Sequence, residues 1–455
     1  MSMCGVKYRA YPTAQQAKKL SQWIGCARVI YNGKVREDQE NYKRFKETGE
    51  KSLIHQGYAH LKTPEMPWLN DVPSQVLRNS AVTWYQAKQR FFKCLAKNPR
   101  KKNRDKKQSV LLTKELFSLK IEKNEKGETI TRLKIGTKRH GVGYLKVAFH
   151  RECGTPKQIV VNKKNQKWYV SFCYETGVDL PSDEEIISHY ASLSEGTLNN
   201  ITVGIDRGIV VPFQVSNDTQ FNFDQATQKH LDQKAKRLKR YQRKMARQQL
   251  QSNRRKRTKL KVGKLHQKIA NVRHDFCHQT SRRLVESNAH VFAIEELSLK
   301  NMTRKPKPKQ DQNGRYLPNQ RAAKAGLNRE LLSKGLAKTI DFLAYKAKRA
   351  GKCVIYVKAH HSSQECAKCG HIHPDNRKTQ AVFLCLSCGH QDNADSNAAK
   401  VIAKRGVQYL LSKPTLKTIT RLGISRSYAR RGSCKTAEAV IAQTQVPMTL
   451  EARSL

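Results

Sequence analysis

The sequence predicts an α/β chain in two lobes. The first lobe is a small β-barrel interrupted by a helical insert, and the second is a mixed layer of strands and helices that carries a four-cysteine ribbon. Apolar residues recur at a helical period in two segments before residue 93, and the period drops to two between residues 110 and 175. Short apolar strands then alternate with helices to about residue 405, interrupted by two C-x-x-C pairs. The 455 residues leave room for about three domains of ~150 residues each.

The first lobe opens with an alternating stretch, residues 3–12, that predicts a short strand. Pro12-Thr13 then begins a helix whose apolar residues are spaced four, three, four and four apart and therefore share one face. These residues are Leu20, Ile24, Ala27, Tyr31 and Val35. A second amphipathic helix begins at Pro73-Ser74 and continues to Phe92.

Five alternating stretches between residues 110 and 175 predict antiparallel strands. The strand at the N-terminus is separated from them only by the helical insert, so we expect it to join the same sheet. Residues 1–12 and 98–180 are thus predicted to form the barrel, with residues 13–97 as its helical insert.

The second lobe follows an acidic, serine-rich stretch, residues 181–199, which predicts a linker. The segment ITVGIDRGIVVPFQVSND then predicts two strands with a tight turn, and residues 225–288 predict a long helical hairpin. Buried strands are expected at residues 289–297 and 352–358, on either side of an amphipathic helix at 331–350. We expect one mixed α/β domain from these elements.

That domain is predicted to comprise residues 200–364 and 390–412, with the ribbon inserted at 365–389. The ribbon holds two C-x-x-C pairs with 15 residues between them, and a glycine follows each pair. The cysteines are Cys366, Cys369, Cys385 and Cys388. Four thiolates suit one tetrahedral Zn²⁺ with no open position, so the sequence predicts a structural zinc site. The pattern fades beyond the domain, and residues 413–455 are predicted to be a flexible tail.

Charge is the strongest compositional signal. The chain carries 88 Lys and Arg residues against 36 Asp and Glu residues, a formal net charge of +52. Such a chain repels itself unless a polyanion neutralises it, so nucleic acid is the expected partner. No acidic residue occurs from Gln233 to His274, whereas a merely solvated helix normally mixes signs. We expect phosphate contacts from Lys236, Arg237, Lys239, Arg240, Arg243, Lys244, Arg254, Arg255, Lys256 and Arg257.

Two shorter basic tracts, residues 97–107 and 300–309, suit the same partner or serve as plain linkers. A membrane is not expected as a partner, because no apolar run approaches ~18–20 residues and the N-terminus has no apolar signal region. Most of the twelve cysteines are scattered, which is typical of a reducing compartment. We therefore expect a cytoplasmic, nucleoid-associated protein of prokaryotic type.

Three carboxylates at the ends of predicted elements form a second candidate site. Asp206 ends the strand in VGIDRGI, Glu295 ends the strand in VFAIEEL, and Asp395 begins the helix in NADSNAA. Each alone is more often a solvated acid or a helix cap. Their order along the chain, however, is that of an RNase H-like layer, in which two acids end adjacent strands and the third faces them from a helix. Clustered carboxylates need cations to neutralise them, and two Mg²⁺ ions ~3.5–4 Å apart can promote phosphodiester hydrolysis.

Segments spread from about residue 5 to residue 405 resemble TnpB, the RNA-guided nuclease of insertion sequences, and its relatives the type V CRISPR effectors. The family's N-terminal signature resembles the segments YRAYPTAQQAKKL and GCARVIYN of this chain. Its recognition helix resembles the segment VPSQVLRNSAVTWYQAKQRFF. The family's RuvC nuclease domain with its zinc ribbon resembles five further segments of this chain, VGIDRGI, AIEEL, SSQECAKCGH, FLCLSCGH and DNADSNAA. The resemblance implies a wedge-like barrel with a recognition insert, followed by a RuvC-like domain.

The resemblance also implies roles for individual residues. The catalytic acids that hold two Mg²⁺ fall on Asp206, Glu295 and Asp395, with Glu295 favoured over its neighbour Glu296. Arg377 corresponds to a ribbon residue near the substrate strand. A short motif beside the target is read by the first lobe, which implicates Ser74, Gln75 and Arg78. Arg can clasp guanine and Gln can clasp adenine, so these residue types permit that role.

The function implied is RNA-guided cleavage of double-stranded DNA, with a guide RNA and target DNA as partners and a monomer favoured over a homodimer. Two alternatives stay open at this point. One is an RNA-guided DNA-binding repressor with weak or no cleavage, against which the three intact acids argue. The other is a transposase or resolvase-like nuclease that acts without RNA, which the net charge of +52 also permits.

Overall fold

The computed structural model describes residues 3–50, 52–104, 108–123, 129–151, 154–379 and 381–413. These residues form two compact units that divide between Asp179 and Leu180. Apart from Lys413, the predicted flexible tail lies outside the described residues. Among the described helices, none is both long enough and apolar enough to cross a membrane.

The first unit is built on a seven-stranded antiparallel sheet with the order β2-β6-β7-β1-β5-β4-β3. The N-terminal strand lies in the middle of this sheet, where it pairs with β7 over eight residues and with β5 over three. The strands are β1 (Met3–Tyr11), β2 (Gln108–Thr113), β3 (Phe117–Lys123), β4 (Thr129–Gly136), β5 (Gly141–Ala148), β6 (Gln158–Lys164) and β7 (Lys167–Glu175). The prediction that the first strand joins the later ones is therefore correct.

The predicted closed barrel is not found among the described strands. The sheet order ends at β2 and β3, and no ladder between these two strands closes it. A 3₁₀ corner at Lys114–Leu116 joins the ends of these two edge strands directly, but the strands do not pair with each other. Leu116 at this corner is fully buried and anchors the bend in the core.

Two helices cover the sheet of the first unit. α1 (Ala14–Thr48) begins with a capping box in which Thr13 and Gln16 exchange side-chain and backbone hydrogen bonds, and it ends at Gly49 in the left-handed conformation. The five apolar residues predicted to share a face are all buried. α2 (Ser74–Phe92) packs beside α1, with Val76, Leu77 and Ala81 in the common core.

The second unit contains a five-stranded sheet with the order β10-β9-β8-β11-β14. β8, β11 and β14 are parallel, whereas β9 and β10 are antiparallel additions at one side. These strands are β8 (Thr202–Asp206), β9 (Phe213–Val215), β10 (Gln220–Phe221), β11 (Val291–Glu295) and β14 (Cys353–Val357). Two small hairpins lie outside the sheet, β12 (Lys309–Gln310) with β13 (Tyr316–Leu317) and β15 (Val382–Leu384) with β16 (Gln391–Asn393).

Eight helices surround that sheet within the described part of the unit. They are α3 (Asp183–Ala191), α4 (Glu195–Ile201), α5 (Gln225–Arg247), α6 (Asn253–Glu286), α7 (Leu299–Met302), α8 (Arg321–Ser333), α9 (Leu336–Arg349) and α10 (Ala394–Leu411). The predicted helical hairpin is present as α5 and α6. The predicted linker at residues 181–199 is wrong, because α3 and α4 occupy this segment and bury Ile186, Ile187 and Leu198 in the core.

Glycine at position 204 allows α10 to pack closely on β8. A β-carbon on Gly204 would come within 2.5 Å of the Ala403 backbone nitrogen, closer than real side chains approach. Gly406 allows a similarly close approach to Ala293 on β11. The helix that carries Asp395 is thereby held directly against the strand that carries Asp206.

Candidate functional site

Three carboxylates lie where β8, β11 and α10 meet. β8 and β11 are parallel neighbours with Ile205 opposite Ile294, so Asp206 and Glu295 emerge at the same edge of the sheet. Asp395 lies in the first turn of α10, where Asn393 caps the helix by accepting hydrogen bonds from two backbone amides. The helix start thus faces the ends of the two strands.

The electrostatics of the three groups show that they share one site. Burial and, to a smaller extent, the negative charges of Glu295 and Asp395 together raise the pKa of Asp206 to about 7. Burial also raises the pKa of Glu295, while the Ser362 hydroxyl and nearby arginines oppose that rise. A cation bound among the three carboxylates would reduce their mutual repulsion and favour their charged forms.

Arg377 is the predicted ribbon residue that reaches this site. Its Nη2 atom lies 3.3 Å from Oδ1 of Asp395, and both side chains are about one quarter exposed, at 25% and 24%. Its positive charge lowers the pKa of Asp206. Arg377 therefore connects the ribbon to the carboxylate cluster.

Two residues that the sequence reading missed also hold this site in place. The buried Arg207 donates a hydrogen bond from Nη2 to the backbone oxygen of Glu295, and Ser362 donates from its hydroxyl to Oε1 of the same residue. Arg207 adjoins Asp206 in the chain, which was an available signal. Nothing in the local sequence distinguishes Ser362, because its contact with β11 depends on the tertiary fold.

The four ribbon cysteines converge on one point. The sulfur atoms all lie within 4.8 Å of one another, with 3.7 Å between Cys366 and Cys388 and 3.5 Å between Cys369 and Cys385. Four thiolates ~2.3 Å from a central ion would lie about 3.8 Å apart, so the spacing fits a tetrahedral divalent metal. Gly370 and Gly389 adopt positive φ angles of 79° and 67°, which lets each knuckle turn back on the cluster.

Asn376 ties the two knuckles of the ribbon together. Its side chain is fully buried, and Nδ2 donates to the backbone oxygens of Gln364 and His371 at 2.9 and 3.1 Å. Its Oδ1 accepts from the backbone amide of Leu386 in the second knuckle at 3.0 Å. The sequence reading did not single out this residue, since a lone Asn carries no motif.

We expect replacement of Asn376 by alanine to destabilise the ribbon. The change leaves two backbone oxygens and one backbone amide without their partner, which should cost roughly 2–4 kcal/mol of unfolding free energy. Thermal unfolding together with metal content checks this, with Asn313→Ala on an exposed loop as the matched control. Equal melting temperatures for the two variants would contradict the role given to Asn376.

The predicted phosphate-binding residues lie on α5 and at the start of α6. Nine of the ten are exposed, in keeping with access to a ligand. Arg255 differs, because its Nη1 donates to the backbone oxygens of Met245 and, at 2.9 Å, Gln248. Arg255 therefore caps the C-terminal end of α5.

The three predicted motif-reading residues lie at the start of α2. Ser74 and Arg78 are exposed and Gln75 is partly exposed, so all three face outward. Nη2 of Arg78 lies 3.0 Å from Oε1 of Glu115 in an exposed ion pair. A base contact by Arg78 would have to compete with this carboxylate.

Comparison with known proteins gives three family matches. Residues 171–305 match the OrfB_IS605 family, described as "Probable transposase", and residues 2–47 match its helix-turn-helix domain. Residues 337–402, which include the ribbon and Asp395, match the Cas12f1-like TNB domain. The matched stretches thus contain the three carboxylates and all four cysteines.

Relatives align over most of the chain. "Putative RNA-guided DNA endonuclease InsQ" of Escherichia coli (strain K12) is 30% identical over 88% of this chain and 91% of its own length. A "Putative RNA-guided DNA endonuclease" of Streptomyces pristinaespiralis is 26% identical over 88% and 89%. Among solved structures, CasPhi-2 (Cas12j) bound to crRNA aligns at 12% identity and a TM-score of 0.41, over 91% of this chain and 99% of that chain.

These matches identify the protein as an endonuclease. The chain belongs to the TnpB-like family of RNA-guided DNA endonucleases, which is related to the type V CRISPR effectors.

Proposed function

We propose that this chain binds a guide RNA, recognises a short target-adjacent motif and cleaves double-stranded DNA at Asp206, Glu295 and Asp395. The observation that carries the proposal is the meeting of these carboxylates at two adjacent strand ends and a helix start, in a chain of this family. The strand order around them supports an RNase H-like, RuvC-type layer, since three antiparallel strands are followed by two parallel ones.

The donor set suits magnesium. Carboxylate oxygens are the ligands Mg²⁺ prefers, and burial raises the pKa of both Asp206 and Glu295, so a bound cation would favour their charged forms. Two Mg²⁺ ions bound there would supply activation of water and stabilisation of the departing 3′ oxygen. The chain's own residues fix the geometry, because Ser362 and Arg207 hold Glu295 while Arg377 orients Asp395. The expected products carry a 5′ phosphate and a 3′ hydroxyl.

The ribbon is proposed to hold one structural Zn²⁺ through Cys366, Cys369, Cys385 and Cys388. All four positions of a tetrahedral ion are filled by thiolates, so no open position remains for substrate. Asn397 on α10 accepts from the Ala367 amide at 2.9 Å and donates to the Glu365 carbonyl at 2.8 Å. The ribbon is thus joined to the helix that carries Asp395, and its metal supports the placement of Arg377.

The remaining assignments follow from charge and exposure. The exposed cations of α5 and α6 contact nucleic-acid phosphates, and Ser74, Gln75 and Arg78 read the target-adjacent motif. We propose a cytoplasmic, nucleoid-associated protein that works with its guide RNA as a monomer. The wedge-like sheet and its helical insert form the first lobe of this assembly.

Sequencing the RNA that stays bound to the purified protein tests this proposal. The chain is expressed with its native flanking DNA and purified in high salt, which removes weakly bound polyanions. A single RNA species with a constant scaffold and a guide-like end supports the proposal. Random cellular fragments, or full DNA cleavage after RNase treatment, would refute guidance and favour an RNA-independent nuclease.

A charge change at Arg377 tests its assigned place beside Asp395. Arg377→Ala is expected to slow cleavage by about 10- to 100-fold, since the cation that orients Asp395 is lost. The same change should lower the Mg²⁺ concentration needed for half-maximal rate, because a competing positive charge leaves the carboxylates. Arg377→Lys should retain part of the rate. An unchanged metal requirement in Arg377→Ala would argue against direct contact with the site.

A further inference from the structure

The basic segment between α2 and β2, residues 97–104, is anchored at its start by a buried lysine. Lys88 on α2 donates from Nζ to Oδ1 of Asn98 at 3.2 Å and forms an ion pair with Asp38 on α1 at 2.8 Å. The Lys88 and Asp38 side chains are only 8% and 9% exposed. Burying an unpaired charge is costly, so Lys88 stays paired with Asp38. The ammonium group of Lys88 therefore holds Asn98 in a fixed position.

A second anchor lies four residues further along the same segment. The backbone amide of Lys102 donates to Oδ1 of Asn32 at 2.7 Å, and Nδ2 of Asn32 donates back to the Lys102 carbonyl at 3.0 Å. The Lys102 ammonium also lies 3.6 Å from the ring centroid of Tyr31. The side-chain amide of Asn32 therefore holds this backbone as a neighbouring strand would.

The residues between the anchors carry exposed positive charge. Pro99, whose ring fixes its φ angle, is followed by Arg100 and Lys101, and both cations are exposed. Lys97 and Arg104, at the two ends of the segment, are exposed as well. None of these four cations forms an ion pair with a carboxylate among the described residues.

We propose that residues 97–104, the anchored basic segment, form a binding site for the phosphodiester backbone of nucleic acid. A flexible linker would lose conformational freedom on binding, whereas a segment already fixed at two points avoids that cost. Four neighbouring cations that pair with no carboxylate of the described residues repel one another, and a run of phosphates relieves this repulsion. The choice of nucleic acid as the ligand rests on the proposed function, which this site deepens.

A double substitution that removes the two central charges tests the site. Arg100→Gln with Lys101→Gln is compared with Lys138→Gln with Arg139→Gln, an equally exposed Lys–Arg pair in the turn between β4 and β5. Two quantities are measured on the full chain purified with its RNA: RNA retained per protein after salt washing, and affinity for a labelled 30-base-pair DNA duplex. We expect about a fivefold loss in at least one, with the salt slope lower by about 2 because two phosphate contacts disappear.

A second variant separates anchoring from charge. Asn32→Ala leaves every cation in place but frees the backbone at Lys102, so binding should weaken by about threefold with little change in the salt slope. Loss of RNA retention alone assigns the RNA backbone to the site, and loss of duplex binding alone assigns the DNA backbone. If the double variant matches its control in both measurements, the site does not exist. Neither measurement requires cleavage, so failure of the proposed nuclease activity would be seen separately.

Discussion

Replacing Asp206 by alanine is expected to abolish DNA cleavage, by at least about 1,000-fold, while guide-RNA binding stays at the level of the unaltered protein. The negative charges of both Glu295 and Asp395 raise the pKa of Asp206, so both carboxylates lie near it. Without it, the site loses the charge that would hold and position divalent ions, and electrostatic preorganisation supplies much of a nuclease's rate. Rates of plasmid cleavage in Mg²⁺, with and without EDTA, measure the effect.

Two controls distinguish loss of chemistry from loss of fold. Asp232→Ala, on an exposed part of α5, removes one negative charge outside the cluster and should leave the rate nearly unchanged. Asp206→Asn should melt no lower than the unaltered protein in EDTA, because it relieves repulsion with Glu295 and Asp395. Cleavage by Asp206→Ala above a tenth of the normal rate would show that the chemistry lies elsewhere.

The second large effect is expected at the ribbon, where Cys366→Ser should remove the bound zinc and lower the melting temperature of the second unit. Cys366 is buried, and its sulfur lies 3.7 Å from that of Cys388. Metal binding by structural zinc sites supplies on the order of 10 kcal/mol of local folding free energy, so losing one ligand should unfold the ribbon. Metal analysis and thermal unfolding of the purified variant check both expectations.

Cys277→Ser provides the matched control, because Cys277 is also buried but lies on α6, outside the four-cysteine cluster. That variant should retain one zinc ion per chain and should melt close to the unaltered protein. If Cys366→Ser keeps its zinc and its melting temperature, the ribbon is not held by metal, and the structural role assigned to the four cysteines fails.

The parts of the fold that follow short-range rules were predictable from the sequence. Apolar spacing predicted the buried face of α1, and alternation predicted six of the seven strands of the first sheet, all except β2. The three carboxylates could be chosen because each ends a strand or begins a helix, and such positions meet when the strands are parallel neighbours. The C-x-x-C spacing likewise fixes four sulfurs within reach of one ion.

Other features depend on contacts that local patterns do not report. The segment at 181–199 looked like a linker because it is acidic and rich in serine. Those same residues cap α3, where Ser182 and Glu185 form a capping box, and Ile186 and Ile187 behind them enter the core. The composition of this segment indicated an exposed linker, whereas its capping pattern indicated a helix.

The remaining differences concern side chains that form hydrogen bonds with groups in other segments of the chain. Arg255 resembled its basic neighbours in the sequence, yet from α6 it caps the C-terminal end of α5. Ser362 and Asn376 contact groups that only the folded chain brings near them. Whether the first sheet closes depends on pairing between its edge strands β2 and β3, which alternation of apolar residues cannot detect.

The most direct test of the central claim is to exchange the guide and follow the cut. The protein is loaded with RNA whose guide-like end has been replaced by a sequence complementary to a new site on a plasmid, beside the same flanking motif. We predict that Mg²⁺-dependent cleavage moves to the new site and disappears from the old one, and that Asp206→Ala loaded with the same RNA cuts neither. Cleavage that stays at the original site, or that proceeds equally on a plasmid without complementarity, would contradict RNA-guided recognition.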